Sequence, residues 1–214
     1  MPKIAIVTGN RQGLGKAISE RLLELDYQAP QIIASQDYDL TQAAQAQRLI
    51  QETIETYGKL DLLVNNIGTY QAKSIDDLEI DEWQDMIATN LNAAFYLSKY
   101  ALPHLRESKG AIINIGFAGL ESNIPAPRII AYQSAKAGLL ALTKGLAKAE
   151  AVNQVKINMV SPGTMENSVV HNAMDKIPMG RLAKMSEVVD AVVLLVESEY
   201  ITSQNLDISG GWGL

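Results

Sequence analysis

Residues 3–18 read KIAIVTGNRQGLGKAI, and this stretch decides the fold. Its first half, Ile4–Thr8, is a short apolar run of the length and composition of a buried strand. Its second half begins a helical pattern, and the two halves meet in a turn with glycines at positions 9, 13 and 15. Such a turn lets the backbone approach a pyrophosphate group at the N-terminus of the following helix, so a βα unit that can hold a dinucleotide is predicted here.

The rest of the chain alternates short apolar runs with helical patterns. Further strands are predicted at Ile32–Ser35, Leu60–Asn66, Ala111–Gly116, Val155–Ser161 and Asn205–Ile208. Helices are predicted from a Thr41 cap to a stop at Gly58, from an Asp81 cap to near Pro103, from Tyr132 to about Glu150, and from Ser186 to Val196. Alternating strands and helices imply right-handed crossovers, so we predict an α/β fold: a Rossmann-type, doubly wound parallel sheet in three layers. Residues 1–214 are expected to form a single domain, and Pro162–Lys184, which lacks periodicity, is expected to form a mobile loop.

Composition narrows the classes of partner. The net charge is −6 and the 18 Lys and Arg residues are scattered, which is not the footprint of a nucleic-acid binder. There is no cysteine, and the two histidines, His104 and His171, are far apart in sequence, so no metal site is expected. The chain begins without the pattern of a signal peptide and has no apolar run near the length of a membrane span. We therefore expect a cytoplasmic protein that binds a small-molecule substrate, with no nucleic acid and no membrane as a partner.

Several motifs together resemble the short-chain dehydrogenase/reductase family. TGNRQGLG is similar to the family's TGxxxGxG turn, NNIG at positions 65–68 to its NNAG motif, YQSAK at 132–136 to its YxxxK motif, and SPGT at 161–164 to its PG loop. The resemblance extends almost to the C-terminus, and the C-terminal half is most similar to 3-oxoacyl-carrier-protein reductases. It implies an NAD(P)-dependent oxidoreductase.

The resemblance also implies which residues bind and react. The cofactor, NADP or NAD, would be bound by Thr8, Gly9, Arg11, Gly13, Leu14, Gly15, Asp39, Leu40, Asn66, Gly68, Tyr132, Lys136, Pro162, Gly163 and Thr164. The catalytic residues would be Tyr132 as the proton donor, Lys136 as its partner and Asn90 as the anchor of a water relay. Residues four apart share a helical face, so Tyr132 and Lys136 are expected to project together. We expect the ammonium group to lower the pKa of the phenol, whose ordinary value is about 10.

The chain departs from the family pattern at Phe117. The family usually has a serine there that donates a hydrogen bond to the substrate oxygen, so Phe117 is placed in the substrate pocket without that donor. Loss of one such donor typically costs ~3 kcal/mol of transition-state stabilisation, which slows a catalyst without abolishing catalysis. Ser122 or Asn123 could replace the serine, although both are more simply interpreted as loop residues.

A second departure lies before Asp39. Between the first helix and Asp39 the family has a strand, a helix and another strand, whereas residues 27–38 have room for one strand only. The predicted sheet is therefore shortened by one βα crossover unit after the first helix. The loop that separates NAD from NADP is largely lost, so Arg11 is suited to a 2′-phosphate and Asp37 to a 2′-hydroxyl. Both cofactors stay open, with NADP the one we favour slightly.

Two functions follow as hypotheses. The first is an oxidoreductase that transfers a hydride to or from a carbonyl or alcohol of a small substrate, with an atypical active site. The second is a catalytically degenerate family member that binds nucleotide or acts as an assembly or regulatory protein. Ser108 and Asn153 stand where acyl-carrier-protein reductases have basic residues, which argues against that substrate. A homo-oligomer, a dimer or homotetramer, is expected in either case, and the apolar helix 187–196 packs either in the core or against another subunit.

Overall fold

The computed structural model describes residues 2–28, 37–122, 125–168 and 174–213. The elements, in chain order, are β1 (Lys3–Val7), α1 (Gly13–Glu24), β2 (Tyr27–Gln28), α2 (Ala43–Tyr57), β3 (Leu62–Asn65), α3 (Ile80–Ile87), α4 (Ala93–Ser108), β4 (Ala111–Ile115), α5 (Ile130–Glu150), β5 (Lys156–Pro162), α6 (Met185–Glu197) and β6 (Asn205–Ile208). A π-helical turn, Ala88–Asn92, joins α3 to α4. The predicted α/β succession is confirmed.

The described strands form one parallel sheet in the order β2-β1-β3-β4-β5-β6. Its register is set at the centre, where Val7 lies opposite Val64 and Asn65 opposite Asn114. The order reverses between β1 and β3, because the chain runs outward from β1 to β2 and then returns to the other side of β1. Such a reversal opens a crevice at the carboxyl ends of the strands, which is where ligands of this kind of sheet bind.

Helices cover both faces of the sheet, as the predicted three layers require. One core lies between the sheet and α2, α4 and α5, and includes Ile6, Leu63, Leu97 and Ile112, all fully buried. The other core lies between the sheet and α1 and α6, and includes Val7, Ile18, Val64, Ile113 and Val192. Alternate residues of β1 and β3 enter opposite cores, because successive side chains of a strand point to opposite faces. The apolar residues of α6 therefore pack in the core of this chain, which is one of the two alternatives predicted for residues 187–196.

The sheet is shortened at the β2 edge. The described strand there is Tyr27–Gln28, paired with Lys3 and Ile4 of β1. The strand predicted at Ile32–Ser35 lies outside the described residues. From residue 37 the chain leads into α2 without another described strand, so the shortened sheet predicted from the sequence is confirmed.

Helix boundaries differ from the prediction at three places. Thr41 is not the cap of α2, since the Thr41 hydroxyl donates to the Asp39 carboxylate at 2.5 Å and α2 begins after Gln42. The cap of α3 is Glu79 rather than Asp81, because Glu79 and Glu82 form a reciprocal capping box. Pro103 does not end α4, which continues to Ser108.

The segment after β5 is ordered where it is described. Met165 and Ala183 form an isolated parallel bridge, and residues 174–176 form a 3-10 turn. The mobility predicted for Pro162–Lys184 stays a prediction. Among the described residues, no helix is long and apolar enough to cross a membrane.

Candidate active site

The first part of the site is the turn between β1 and α1. Gly9 has φ of +66°, a conformation that glycine adopts without strain. A Cβ atom on Gly15 would lie 2.3 Å from the Gly9 carbonyl oxygen and 2.6 Å from Asn66 Nδ2, so only glycine fits there. The N-cap residue of α1, Gln12, makes no side-chain capping bond to the helix, so the first N–H groups of α1 have no side-chain cap. These are the features that a diphosphate requires.

Thr8 and Asn66 tie this turn to the end of β3. The Thr8 hydroxyl donates to the Val64 carbonyl at 3.3 Å and accepts from the backbone N–H groups of Asn66 and Ile67, both at 2.9 Å. In return, Asn66 Nδ2 donates to the Thr8 carbonyl at 3.0 Å. Thr8 is fully buried. The structure thus brings together two of the predicted cofactor residues that are 58 positions apart, and both support the shape of the turn.

The remaining turn residues take separate positions. Leu14 packs into the core between α1 and the sheet, and Gly13 is exposed at the start of α1. Arg11 Nη2 lies 3.2 Å from Asp37 Oδ2, with about half of each side chain exposed. The two residues that we assigned to alternative cofactors are therefore ion-paired with each other.

Asp39 and Leu40 lie beyond this ion pair. Asp39 is exposed and its carboxylate accepts from the backbone N–H of Thr41 at 3.1 Å, while Leu40 is buried in the core. The carboxylate therefore orders the chain that leads into α2. Leu40 contributes packing that holds this segment beside β1.

The second part of the site lies at the N-terminal end of α5. Lys136 is 96% buried and its ammonium donates to the Ile115 carbonyl at 2.7 Å, at the end of β4. Its Nζ lies 5.8 Å from the centroid of the Tyr132 ring. Tyr132 and Lys136 therefore share one face of α5, as predicted from their spacing.

The predicted direction of the tyrosine pKa is wrong for the protein alone. Burial, and secondarily the nearby Tyr70, raises the pKa of Tyr132 to about 12. Burial also lowers the pKa of Lys136 to about 8. The reason is that desolvation disfavours both charged forms, while the ammonium is committed to a backbone carbonyl rather than to the phenol oxygen.

Asn90 lies in the π-helical turn between α3 and α4. Its Nδ2 donates to the carbonyl oxygens of Thr69 at 3.0 Å and Met86 at 3.1 Å. Its Oδ1 atom is buried without a hydrogen-bond partner in the described part of the chain. A Cβ atom on Gly68 would lie 2.5 Å from this Oδ1 and 3.5 Å from Lys136 Nζ, so Gly68 leaves the space between the amide and the ammonium open. Asn90, Gly68 and Lys136 therefore surround one small polar space.

Two aromatic rings flank Tyr132. The Phe117 ring lies with its centroid 5.2 Å from that of Tyr132 and tilted by 39°, and the Tyr70 ring lies edge-on at 5.2 Å and 79°. Phe117 thus stands beside the proposed proton donor, as expected for the position of the missing serine. Tyr70 was missed by the sequence analysis, although it follows the NNIG motif by two positions.

The other predicted positions fall into two groups. Pro162 ends β5, and the Gly163 N–H donates to the Ile208 carbonyl at 2.9 Å, while the Thr164 carbonyl accepts from Ala183. The Gly163 contact holds the end of β5 against β6. Ser122 is exposed in a turn, whereas Asn123 lies outside the described residues. Over the described ranges, no cluster of three metal-binding side chains occurs.

These features fit a bound dinucleotide. The cradle at Gly9 and Gly15 would accept its diphosphate, and the polar space at Lys136 and the unpartnered Asn90 amide oxygen lies at the ends of neighbouring strands of the same sheet. In a doubly wound sheet the crevice at the strand ends runs from the first turn across the reversal point. These residues therefore fit the prediction of a site for each half of the dinucleotide.

Comparison with known proteins agrees with this arrangement. The family model described as Enoyl-(Acyl carrier protein) reductase matches residues 10–213. The 3-oxoacyl-(acyl-carrier-protein) reductase FabG of Salmonella typhimurium is 31% identical over 238 residues, which cover 98% of this chain and 96% of the relative. Glucose 1-dehydrogenase 2 of Bacillus subtilis is 30% identical over 247 residues, covering 99% of this chain and 95% of the relative. Both alignments are longer than the chain itself, so each relative has residues that this chain lacks.

Solved structures show the same fold. The ligand-free aldohexose dehydrogenase of Thermoplasma acidophilum has a TM-score of 0.87 and 28% identity, covering 99% of this chain and 94% of the other. ElxO, solved with NADP bound, has a TM-score of 0.88 and 27% identity and covers 99% of each chain. With the glycine turn, the buried lysine and the sheet order already described, these matches show that the chain belongs to the short-chain dehydrogenase/reductase family of NAD(P)-dependent oxidoreductases.

Proposed function

We propose that the protein reduces a carbonyl group of a small substrate, with Tyr132 as the proton donor. The observation that carries this proposal is the buried Lys136 ammonium, held on the Ile115 carbonyl at the strand ends, one helical turn from the Tyr132 phenol. When bound, NADP(H) or NAD(H) supplies or accepts the hydride. The carbonyl carbon receives the hydride and the carbonyl oxygen receives the Tyr132 proton, so the product is an alcohol.

The protonation state of Tyr132 favours reduction. The phenol carries its proton at neutral pH, as a proton donor requires, and burial, which raises its pKa to about 12, makes it a weaker acid than a free tyrosine. In the oxidation direction the same group would first have to lose that proton. A charged Lys136 stabilises the phenolate that remains after proton transfer, since an opposite charge nearby favours the ionised form.

The cofactor would be held by the chain's own turn and its neighbours. Gly9, Gly15 and the N-terminus of α1 would receive the diphosphate, and Lys136 would bind the nicotinamide ribose. Arg11 would contact a 2′-phosphate once its ion pair with Asp37 is exchanged, and for this reason we favour NADP.

The substrate is proposed to carry a flat, apolar group next to its carbonyl. Phe117 presents a ring rather than a hydroxyl beside Tyr132, and Tyr70 adds a second ring. Acyl-carrier protein is not favoured. Ser108 donates to the Leu60 carbonyl at 2.7 Å and Asn153 to Glu150 at 2.8 Å, so both side chains serve the fold where that substrate's reductases have basic residues.

One observation favours the alternative, a degenerate member with a binding or assembly role. The described active site has Phe117 packed against Tyr132 where a hydrogen-bond donor is usual. A binding protein would keep the glycine turn and would tolerate this loss, because a nucleotide can be held without proton transfer.

Two assays distinguish the two functions. Titration with NADPH and NADH, followed by tryptophan fluorescence, measures cofactor binding, and a panel of aryl aldehydes, aryl ketones and short keto acids measures turnover. The proposal expects saturable binding and turnover of an aryl carbonyl, with turnover lost in Tyr132→Phe while cofactor binding is kept. Binding without turnover across the panel would favour the alternative. Absence of binding of either cofactor would contradict the oxidoreductase and leave only the assembly role of the alternative.

We further propose that the chain forms one domain and assembles as a homo-oligomer, a dimer or tetramer. A cytoplasmic location stays a prediction from the sequence.

A further inference from the structure

The described active site has one conspicuous chemical gap. A carbonyl oxygen that gains negative charge is best stabilised by more than one donor, and Phe117 offers none beside Tyr132. Ser122, the other hydroxyl considered from the sequence, lies exposed in a turn. Within the described residues, a second donor would therefore come from another element of the fold.

Tyr70 is the phenol in contact with Tyr132. Tyr70 lies on the segment that follows β3. The two ring centroids are 5.2 Å apart and the ring planes are nearly perpendicular. Tyr70 is 56% exposed, so the residue can be reached by a ligand that enters from solvent. After burial, the proximity of Tyr70 is the second cause of the raised pKa of Tyr132.

The backbone beside Tyr70 is held by two contacts. Asn90 Nδ2 donates to the Thr69 carbonyl at 3.0 Å, and the Thr69 hydroxyl lies 3.8 Å from the Met86 sulfur. Asn90 is 99% buried, so this anchor is rigid compared with a surface contact. The backbone next to Tyr70 is therefore anchored, which is what a side chain positioned for catalysis requires.

We infer that Tyr70 is a second catalytic hydrogen-bond donor, whose hydroxyl group binds the substrate oxygen together with that of Tyr132. This inference rests on the proposed function and deepens it. Tyr70 and Phe117 both contact the ring of Tyr132, so the phenol would bind the substrate's oxygen and the apolar ring would pack against its flat group. Asn90 then acts as a positioning residue for Tyr70 through Thr69.

The decisive variant is Tyr70→Phe, which keeps the ring and removes only the hydroxyl group. Its kcat for an aryl aldehyde is expected to fall at least ~100-fold, the lower end of the range seen for loss of one oxyanion donor, with little change in KM. Cofactor affinity, measured by tryptophan fluorescence, should be unchanged. If Tyr70 had only a structural role, its loss would be expected to disturb the site and cofactor binding as well. Ser122→Ala is the matched control and should keep the wild-type kcat. In the double variant Tyr70→Phe/Phe117→Ser, the new hydroxyl should restore part of the activity, so that log kcat recovers at least about a third of the decrease caused by Tyr70→Phe.

Benzoate provides a second readout that does not need turnover. Its carboxylate resembles the charged oxygen and its ring is flat and apolar, so calorimetry in the presence of NADP should show binding that weakens about tenfold in Tyr70→Phe, the loss of about one charge-assisted hydrogen bond. A kcat in Tyr70→Phe within about twofold of wild type would overturn the inference, as would equal benzoate affinity. A wild type that binds benzoate in a Tyr70-dependent way but turns over no carbonyl would contradict the proposed function and leave the donor role supported.

Discussion

The burial of Lys136 makes the stability of the protein depend on pH in a defined direction. The lysine is 96% buried, and burial lowers its pKa from 10.5 to about 8. At neutral pH the folded state therefore holds a charge that the unfolded chain would place in water. One pKa unit corresponds to about 1.36 kcal/mol, so at pH below about 8 this charge costs the folded state about 3 kcal/mol.

The cost disappears as the pH rises. Between about 8 and 10.5 the folded state has lost the Lys136 proton while the unfolded state still holds it, so the free energy of unfolding increases with pH through this window. From about pH 7.5 to about pH 9.5, linkage gives a gain of about 2 kcal/mol for wild type that a Lys136→Met variant lacks. Tyr132 acts in the opposite direction only above its ordinary pKa of 10.0, because its folded pKa is about 12.

Urea unfolding followed by the fluorescence of Trp83 and Trp212 measures this difference. The free energy of unfolding would be determined at both pH values for wild type, Lys136→Met and Lys144→Met. Lys144 is the matched control, because it lies on the same helix with 47% of its side chain exposed. The difference between wild type and Lys136→Met should change by about 2 kcal/mol between the two pH values, and the difference for the control by less than about 0.5 kcal/mol. Equal pH dependence in wild type and Lys136→Met would refute the reasoning, since it would mean that the buried amine feels no desolvation.

Three further predictions address the turn, the phenol and the ion pair. Gly15→Ala should abolish detectable cofactor binding and lower the midpoint of thermal unfolding, because its Cβ would meet the Gly9 carbonyl oxygen at 2.3 Å. The control Gly145→Ala on α5, whose Cβ would have no atom within 4 Å, should be neutral or stabilise the protein by up to about 1 kcal/mol. Normal cofactor affinity in Gly15→Ala would contradict the diphosphate-binding role of the turn. In the absence of cofactor, the difference in tyrosinate absorbance between wild type and Tyr132→Phe should stay near zero until the pH passes 10.0, because burial raises the pKa of Tyr132 to about 12. A titration step near neutral pH would show that the Lys136 ammonium controls the pKa of this phenol. Arg11→Ala should weaken NADPH about tenfold and leave NADH nearly unchanged, as measured by fluorescence titration, and an equal effect on both would exclude a 2′-phosphate contact.

The shape of the glycine turn and the shared helical face of Tyr132 and Lys136 could be predicted from local sequence. A strand, a turn and a helix are specified within about fifteen residues by hydrophobic period and by glycine spacing, and two side chains four apart on a helix must share a face. The shortened sheet could also be predicted, because the number of residues between the first helix and Asp39 limits how many elements fit there. Helix ends were predicted less well, since Glu79 rather than Asp81 caps α3 and Pro103 lies inside α4.

Long-range contacts and solvation were decided by the tertiary structure alone. Tyr70 and Tyr132 are 62 positions apart, and no local pattern announces that their rings meet. The pairing of Arg11 with Asp37 is likewise a product of the fold.

The sequence by itself determined the order of the elements, through hydrophobic periodicity, and pointed to the family, through motifs that resemble those of its members. Only the tertiary structure decided which groups of the site keep their protons. Burial is a property of everything packed around a residue, and it raises the pKa of Tyr132 while it lowers that of Lys136, against the expectation drawn from their spacing. The same packing brings the ring of Tyr70, from a distant part of the chain, against that of Tyr132.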